Sequence, residues 1–141
     1  MGLFDFLKPK KGKGFDNWRA ESDMDKFTGI ELSDVESYVS RIDDLIYEFV
    51  IFTPPEPVDG CDMLMICKED GFRVEISVKG DHSMNKVYAK TGLSAAEAVA
   101  IVADMADKGV IPNVEEMKNL GTSGDPKKTW LERKLHLHNV Q

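Results

Sequence analysis

The chain has 141 residues, a formal charge of −7, and an ordinary composition of 42% hydrophobic and 30% charged residues. That is enough for one domain with its own hydrophobic core, and it argues against a disordered chain. No apolar run approaches the roughly 18 residues of a membrane span. The start of the chain lacks the apolar stretch of a secretory signal, so a cytoplasmic protein is expected.

The charge is uneven. Lys8, Lys10, Lys11 and Lys13 against Asp5 give residues 1–14 a balance of +3, and Lys127, Lys128, Arg133 and Lys134 against Asp125 and Glu132 give residues 125–141 a balance of +2. Removing both from the total leaves −12 for residues 15–124. The expected organisation is a basic N-terminal tail (1–14), an acidic α+β domain (15–124) and a C-terminal segment (125–141). An acidic body repels nucleic acid and orients a basic partner, and the same charge also keeps a protein soluble.

In chain order, Leu3, Phe4 and Leu7 fit one face of a short helix that Pro9 stops, and Lys-Lys-Gly-Lys-Gly has linker composition. The opening Gly2-Leu3-Phe4-Asp5 before a Lys-rich stretch resembles short membrane-active amphipathic peptides, which implies weak contact of residues 2–13 with an anionic membrane surface. Phe6 stands where a myristoylation signal needs Ser or Thr. Phe15, Trp18, Met24, Phe27 and Ile30 have loose helical spacing, so residues 15–30 read as a short helix or ordered loop. Ser33 has Glu36 three positions on, the capping-box spacing, ahead of a stripe of Val35, Tyr38, Val39 and Ile42.

The period then becomes two. Ile46–Thr53 predicts a strand ended by Pro54, Pro55 and Pro57, and Asp59-Gly60 predicts a turn. Met63–Cys67 is apolar on both sides and predicts an interior strand. Glu69-Asp70-Gly71 predicts a tight hairpin. In Phe72–Lys79, Phe72, Val74, Ile76 and Val78 alternate with Arg73, Glu75, Ser77 and Lys79, which predicts a strand with one wet face and a surface Arg73–Glu75 pair. After a turn at Lys79–His82, Met84–Thr91 predicts a fourth strand with Lys86, Tyr88 and Lys90 on one face. Ser94 and Glu97 form a second capping box before the stripe Ala98, Ile101, Val102 and Met105, and Gly109 suits a left-handed cap. Pro112 starts a short segment to Leu120, and Gly121–Pro126 reads as a flexible break. Trp130, Leu131, Leu135 and Leu137 fit either a final short helix or an edge strand. The expected fold is α+β: a four-stranded antiparallel meander with helices packed on one face.

Chemistry-bearing motifs are scarce. If Cys61 and Cys67 bracket one strand, their Cα atoms lie on the order of 20 Å apart, too far for a disulfide or a shared metal. Both then read as small buried apolar residues. Lys127 precedes Lys128-Thr129 where a phosphate-binding loop needs glycine, and Gly12 and Gly14 do not extend to a dinucleotide fingerprint. His136 and His138 share one side of a strand but have no visible third metal ligand. Asp81-His82-Ser83 reads as a polar turn, because triad members converge from separate elements. Asp43-Asp44 and Glu69-Asp70 lack calcium-loop spacing. No catalytic, cofactor-binding or metal residue is assigned and no cofactor is expected.

Glu48-Phe49-Val50-Ile51-Phe52-Thr53-Pro54-Pro55-Glu56-Pro57-Val58-Asp59-Gly60-Cys61, followed by Gly71-Phe72-Arg73-Val74-Glu75-Ile76, resembles small bacterial α+β proteins of polymorphic-toxin immunity families. The likeness runs over residues 33–120 as element order and the Pro-rich connector. It implies a compact, non-enzymatic protein that plugs a basic toxin surface. The leading expectation is thus a protein-binding module with a basic protein partner. The alternatives are a homo-oligomer assembling through an edge strand or through Trp130–Leu137, and an enzyme whose residues converge only in three dimensions.

Overall fold

The computed structural model describes residues 14–80 and 84–123. The elements run β1 (Arg19–Ser22), β2 (Lys26–Thr28), α1 (Leu32–Asp43), β3 (Phe49–Thr53), β4 (Cys61–Lys68), β5 (Phe72–Lys79), β6 (Asn85–Leu93), α2 (Ala95–Lys108), a 3-10 turn (Val114–Glu116) and β7 (Lys118–Ser123). One seven-stranded sheet has the order β2-β1-β3-β4-β5-β6-β7, antiparallel throughout. The expected meander is β3–β6. Short turns such as Asp70-Gly71, with φ of 52° and 90°, keep these consecutive strands adjacent.

The expectation of four strands is corrected at both edges. Residues 15–30 contain a β1–β2 hairpin rather than the expected short helix or ordered loop, and β1 pairs with β3 from Arg19↔Thr53 to Ser22↔Val50. Four residues are too few to show a period of two, while Phe15 with Trp18, and Met24, Phe27 and Ile30, sit at three-residue intervals that imitate a helix. The Ser22 hydroxyl closes the turn by accepting N–H bonds from Met24 at 3.0 Å and Asp25 at 2.9 Å. At the other edge, the Gly121 region is not a break but part of β7, paired from Lys118↔Ala89 to Ser123↔Asn85. A register shift between Val87 and Tyr88 leaves Leu120 as the extra residue, next to Gly121, which pairs with Val87 at a φ of 98°.

Both helices lie on one face. Val35, Tyr38, Val39 and Ile42 of α1 and Ala98, Val102, Met105 and Ala106 of α2 join Val50, Phe52, Leu64, Ile66, Val74 and Ile76 in one core. Phe27 stacks on Tyr38 with ring centroids 4.6 Å apart, and Tyr38 lies 6.2 Å from Phe52. Burial and the nearby Asp34 carboxylate push the Tyr38 phenol up to about 12. The cap of α1 differs from expectation: Glu31, not Ser33, is the N-cap residue, and its N–H donates to Asp34 at 2.8 Å.

The cap of α2 matches the sequence reading. The Glu97 N–H donates to the Ser94 hydroxyl at 3.1 Å, and the Ser94 N–H donates to the Glu97 carboxylate at 3.0 Å. The Ser94 bonds hold the Glu97 carboxyl below its ordinary value of 4.5. Ser94→Ala therefore costs about 1 kcal/mol in urea unfolding at neutral pH. Because the folded carboxyl is the stronger acid, the Glu97 contribution is present above pH 4.5 and fades as the pH falls through the lowered value. Ser94→Ala should show a smaller pH dependence over that interval.

Candidate functional site

The sheet's second face is not wet, which corrects the reading of β5. Glu75 is 5% exposed and Ser77 1%. The Arg73 Nε–H donates to Glu75 at 2.9 Å, forming a largely buried pair rather than a surface one. The Asn85 amide donates to the Ser77 hydroxyl at 2.6 Å and to the Asp62 carboxylate at 3.0 Å. Beside this polar strip, Phe49, Ile51, Met65 and Cys67 form a second apolar cluster, with Met63 packed against it. Among the described residues every buried side-chain polar atom has a hydrogen-bond partner.

Cys61 and Cys67 are buried and are not bridged to each other, as the strand spacing predicts. They face opposite sides of the sheet, Cys61 in the helix-covered core and Cys67 in the second cluster. Burial pushes the Cys61 thiol up to about 12, so it stays protonated and inert at neutral pH. Asp81, His82, Ser83, His136, His138, residues 2–13 and the segment from Gly124 lie outside the described residues. Among those described, no group of three or more His, Cys, Asp and Glu could hold a metal ion. Nor is any described helix long and apolar enough to cross a membrane.

The site that stands out is one end of the sheet. The register Ser22↔Val50, Phe49↔Cys67 and Lys68↔Phe72 brings the β1–β2 turn, the α1–β3 loop and the β4–β5 hairpin together there. These connections expose Asp23, Asp25, Asp43, Asp44, Glu48, Glu69 and Asp70. They also expose large apolar side chains: Met24 is 67% exposed, Leu45 78% and Ile46 53%.

Cross-bonds hold the three connections in place. The Glu48 N–H donates to Asp23 at 3.0 Å, joining the loop to the turn. Lys68 donates to the Asp43 carboxylate at 2.8 Å, joining β4 to the end of α1. The Arg41 guanidinium donates to the Tyr47 hydroxyl at 3.0 Å, and Tyr47 itself is buried.

The end of α1 is unusual. The Leu45 N–H donates to the Ile42 carbonyl at 3.0 Å and the Ile46 N–H to the Arg41 carbonyl at 2.8 Å. This is a Schellman cap, and its left-handed position normally takes glycine. Here it is Leu45, at φ 63°. In α2 the corresponding position is Gly109, at φ 67°. A β-carbon in that conformation costs roughly 1 kcal/mol, and at Leu45 no compensating burial repays it. The sequence reading placed Ile46 inside a strand and so missed both residues. A signal was present: the apolar stripe stops at Ile42 and no glycine follows to cap it.

Fold and site together define an α+β domain with a two-sided antiparallel sheet and a braced acidic end tipped with apolar side chains. Comparisons with family models, with curated proteins and with solved structures find no match.

Proposed function

We propose that this chain is a protein-binding module whose acidic sheet end docks a basic protein partner, with neutralisation of a basic toxin as its most concrete form. The observation that carries the reading is Leu45, a strained and 78% exposed side chain set among exposed carboxylates. Strain held at a position that adds nothing to the core is a mark of function. Carboxylates around an apolar tip match the anatomy of an interface, where a desolvated anchor supplies affinity and a charged rim steers encounter. The −12 balance of residues 15–124 has the same sign as the rim.

The immunity version is tested by sequencing the genes on either side of this one, co-expressing the chain with any basic toxin found there and scoring rescue of growth; a toxin whose killing the chain does not relieve defeats that version. Docking is tested by titrating salt against the association so found. Raising the ionic strength from roughly 0.05 to 0.5 M should weaken binding about tenfold, chiefly through the on-rate. Affinity that is equal at both salts defeats the acidic-end reading.

Self-association is the second reading. It is favoured by β7, whose outer edge is unpaired among the described residues. Sedimentation that shows a monomer at every concentration removes it.

A further inference from the structure

We infer that β4 carries a binding site for a soft monovalent metal ion, Cu(I), formed by the sulfur atoms of Met63, Met65 and Cys67 on the second face of the sheet. Alternate residues of a strand share a face. The register Met63↔Ser77, Met65↔Glu75 and Cys67↔Arg73 puts all three on the side opposite the helices. Met65 and Cys67 share a cluster with Phe49 and Ile51, and Met63 packs against it. Three sulfur side chains thus follow one another along one strand face, with Cys61 turned to the other side.

The spacing suits a shared ion. Neighbouring members of the row have Cα atoms roughly 7 Å apart. Two metal–sulfur bonds of about 2.3 Å bridge sulfurs up to about 4.6 Å apart. The unbranched methionine side chain has the freedom to close the remainder. Entry is from the Met63 end, since Met63 is half-buried while Met65 and Cys67 are almost fully buried.

Chemistry selects the metal. Thioether and thiolate sulfur are soft donors suited to Cu(I). The Cys67 thiol and Cu(I) give one sulfur–copper bond and one released proton, and the oxidation state of copper does not change. A thiolate and a monovalent ion sum to zero charge, which a buried apolar cluster tolerates. Zn(II) on the same donors leaves a net positive charge and calls for a fourth ligand. The carboxylate opposite Met65, that of Glu75, is already held by Arg73 at 2.9 Å, which disfavours a hard cation. The inference is independent of the proposed function, which concerns the end of the sheet rather than its face.

Metal transfer to the full, reduced chain provides the test, because leucine shares the packing role of methionine but not its ligation. Cu(I) supplied from a bicinchoninate buffer without oxygen should load the folded chain at one ion per chain. A thiolate-to-copper absorption in the ultraviolet and release of one proton should accompany it. Zn(II) at the same concentration should not be retained. Met63→Leu with Met65→Leu should keep the far-ultraviolet circular dichroism and weaken Cu(I) retention about tenfold or more. Cys67→Ala should abolish it, and a folded Cys61→Ala chain should bind as the natural one does. The inference is overturned if no Cu(I) transfers, if the leucine variant retains it as tightly, or if Zn(II) is held equally well. Cu(I) that stays when all three residues are replaced lies elsewhere and also overturns it. So does loading that unfolds the chain, because the donors would then act only in the open state.

Discussion

Arg73→Ala lowers stability by about 2–3 kcal/mol, whereas Lys68→Ala lowers it by less than about 1 kcal/mol. Each substitution removes the cation of an ion pair of nearly equal length, 2.9 Å for Arg73–Glu75 and 2.8 Å for Lys68–Asp43. The difference lies in what remains. Asp43 is exposed and is rehydrated as soon as Lys68 is gone. Glu75 is 5% exposed on an interior strand and cannot recover its hydration in place. Its further interaction moderates the loss, which is why the expected cost falls below that of a wholly orphaned buried charge. The double variant Arg73→Met with Glu75→Leu should recover most of the stability, since an apolar pair of similar volume suits a face that already holds Met65 and Cys67. Urea unfolding midpoints of the four chains decide the matter. An Arg73→Ala midpoint level with that of Lys68→Ala would mean that the second face is hydrated after all.

The Arg73–Glu75 pair also shows where sequence reading stops. The alternation in Phe72–Lys79 identifies the strand, and the capping box and stripe of Ser94–Lys108 identify the helix, because each signal is local and eight or more residues long. Whether a polar alternate face is wet depends on what else the chain lays over it, and no local period records that. The same limit hid β1 and β2. These strands are four and three residues long, and they exist because β3 offers an edge to pair with. For β7 the glycine suggested a break, whereas a register shift in the ladder accommodates it. The acidic balance of the domain was legible from the residues alone. Its gathering at one end of the sheet was not, since Asp23, Asp43 and Glu69 come together only through the strand register.

Leu45→Gly should raise stability and weaken partner binding, two effects of opposite sign from one substitution. Glycine relieves the left-handed strain at φ 63°, a gain of roughly 1 kcal/mol. Its greater freedom in the unfolded chain takes back part of that gain. Little is lost from packing, because the leucine side chain is 78% exposed. A net rise of a few degrees in Tm is expected for a domain of this size. If Leu45 anchors the interface, its removal costs about 2 kcal/mol of binding, roughly thirtyfold in Kd. Leu45→Asn separates the two contributions, since asparagine tolerates the same backbone conformation but offers no apolar tip. It should gain stability less than glycine and lose binding to a similar degree. A Leu45→Gly chain that is more stable and binds its partner with unchanged affinity would show that the strain serves no interface, and the acidic end would then lose the observation that singles it out.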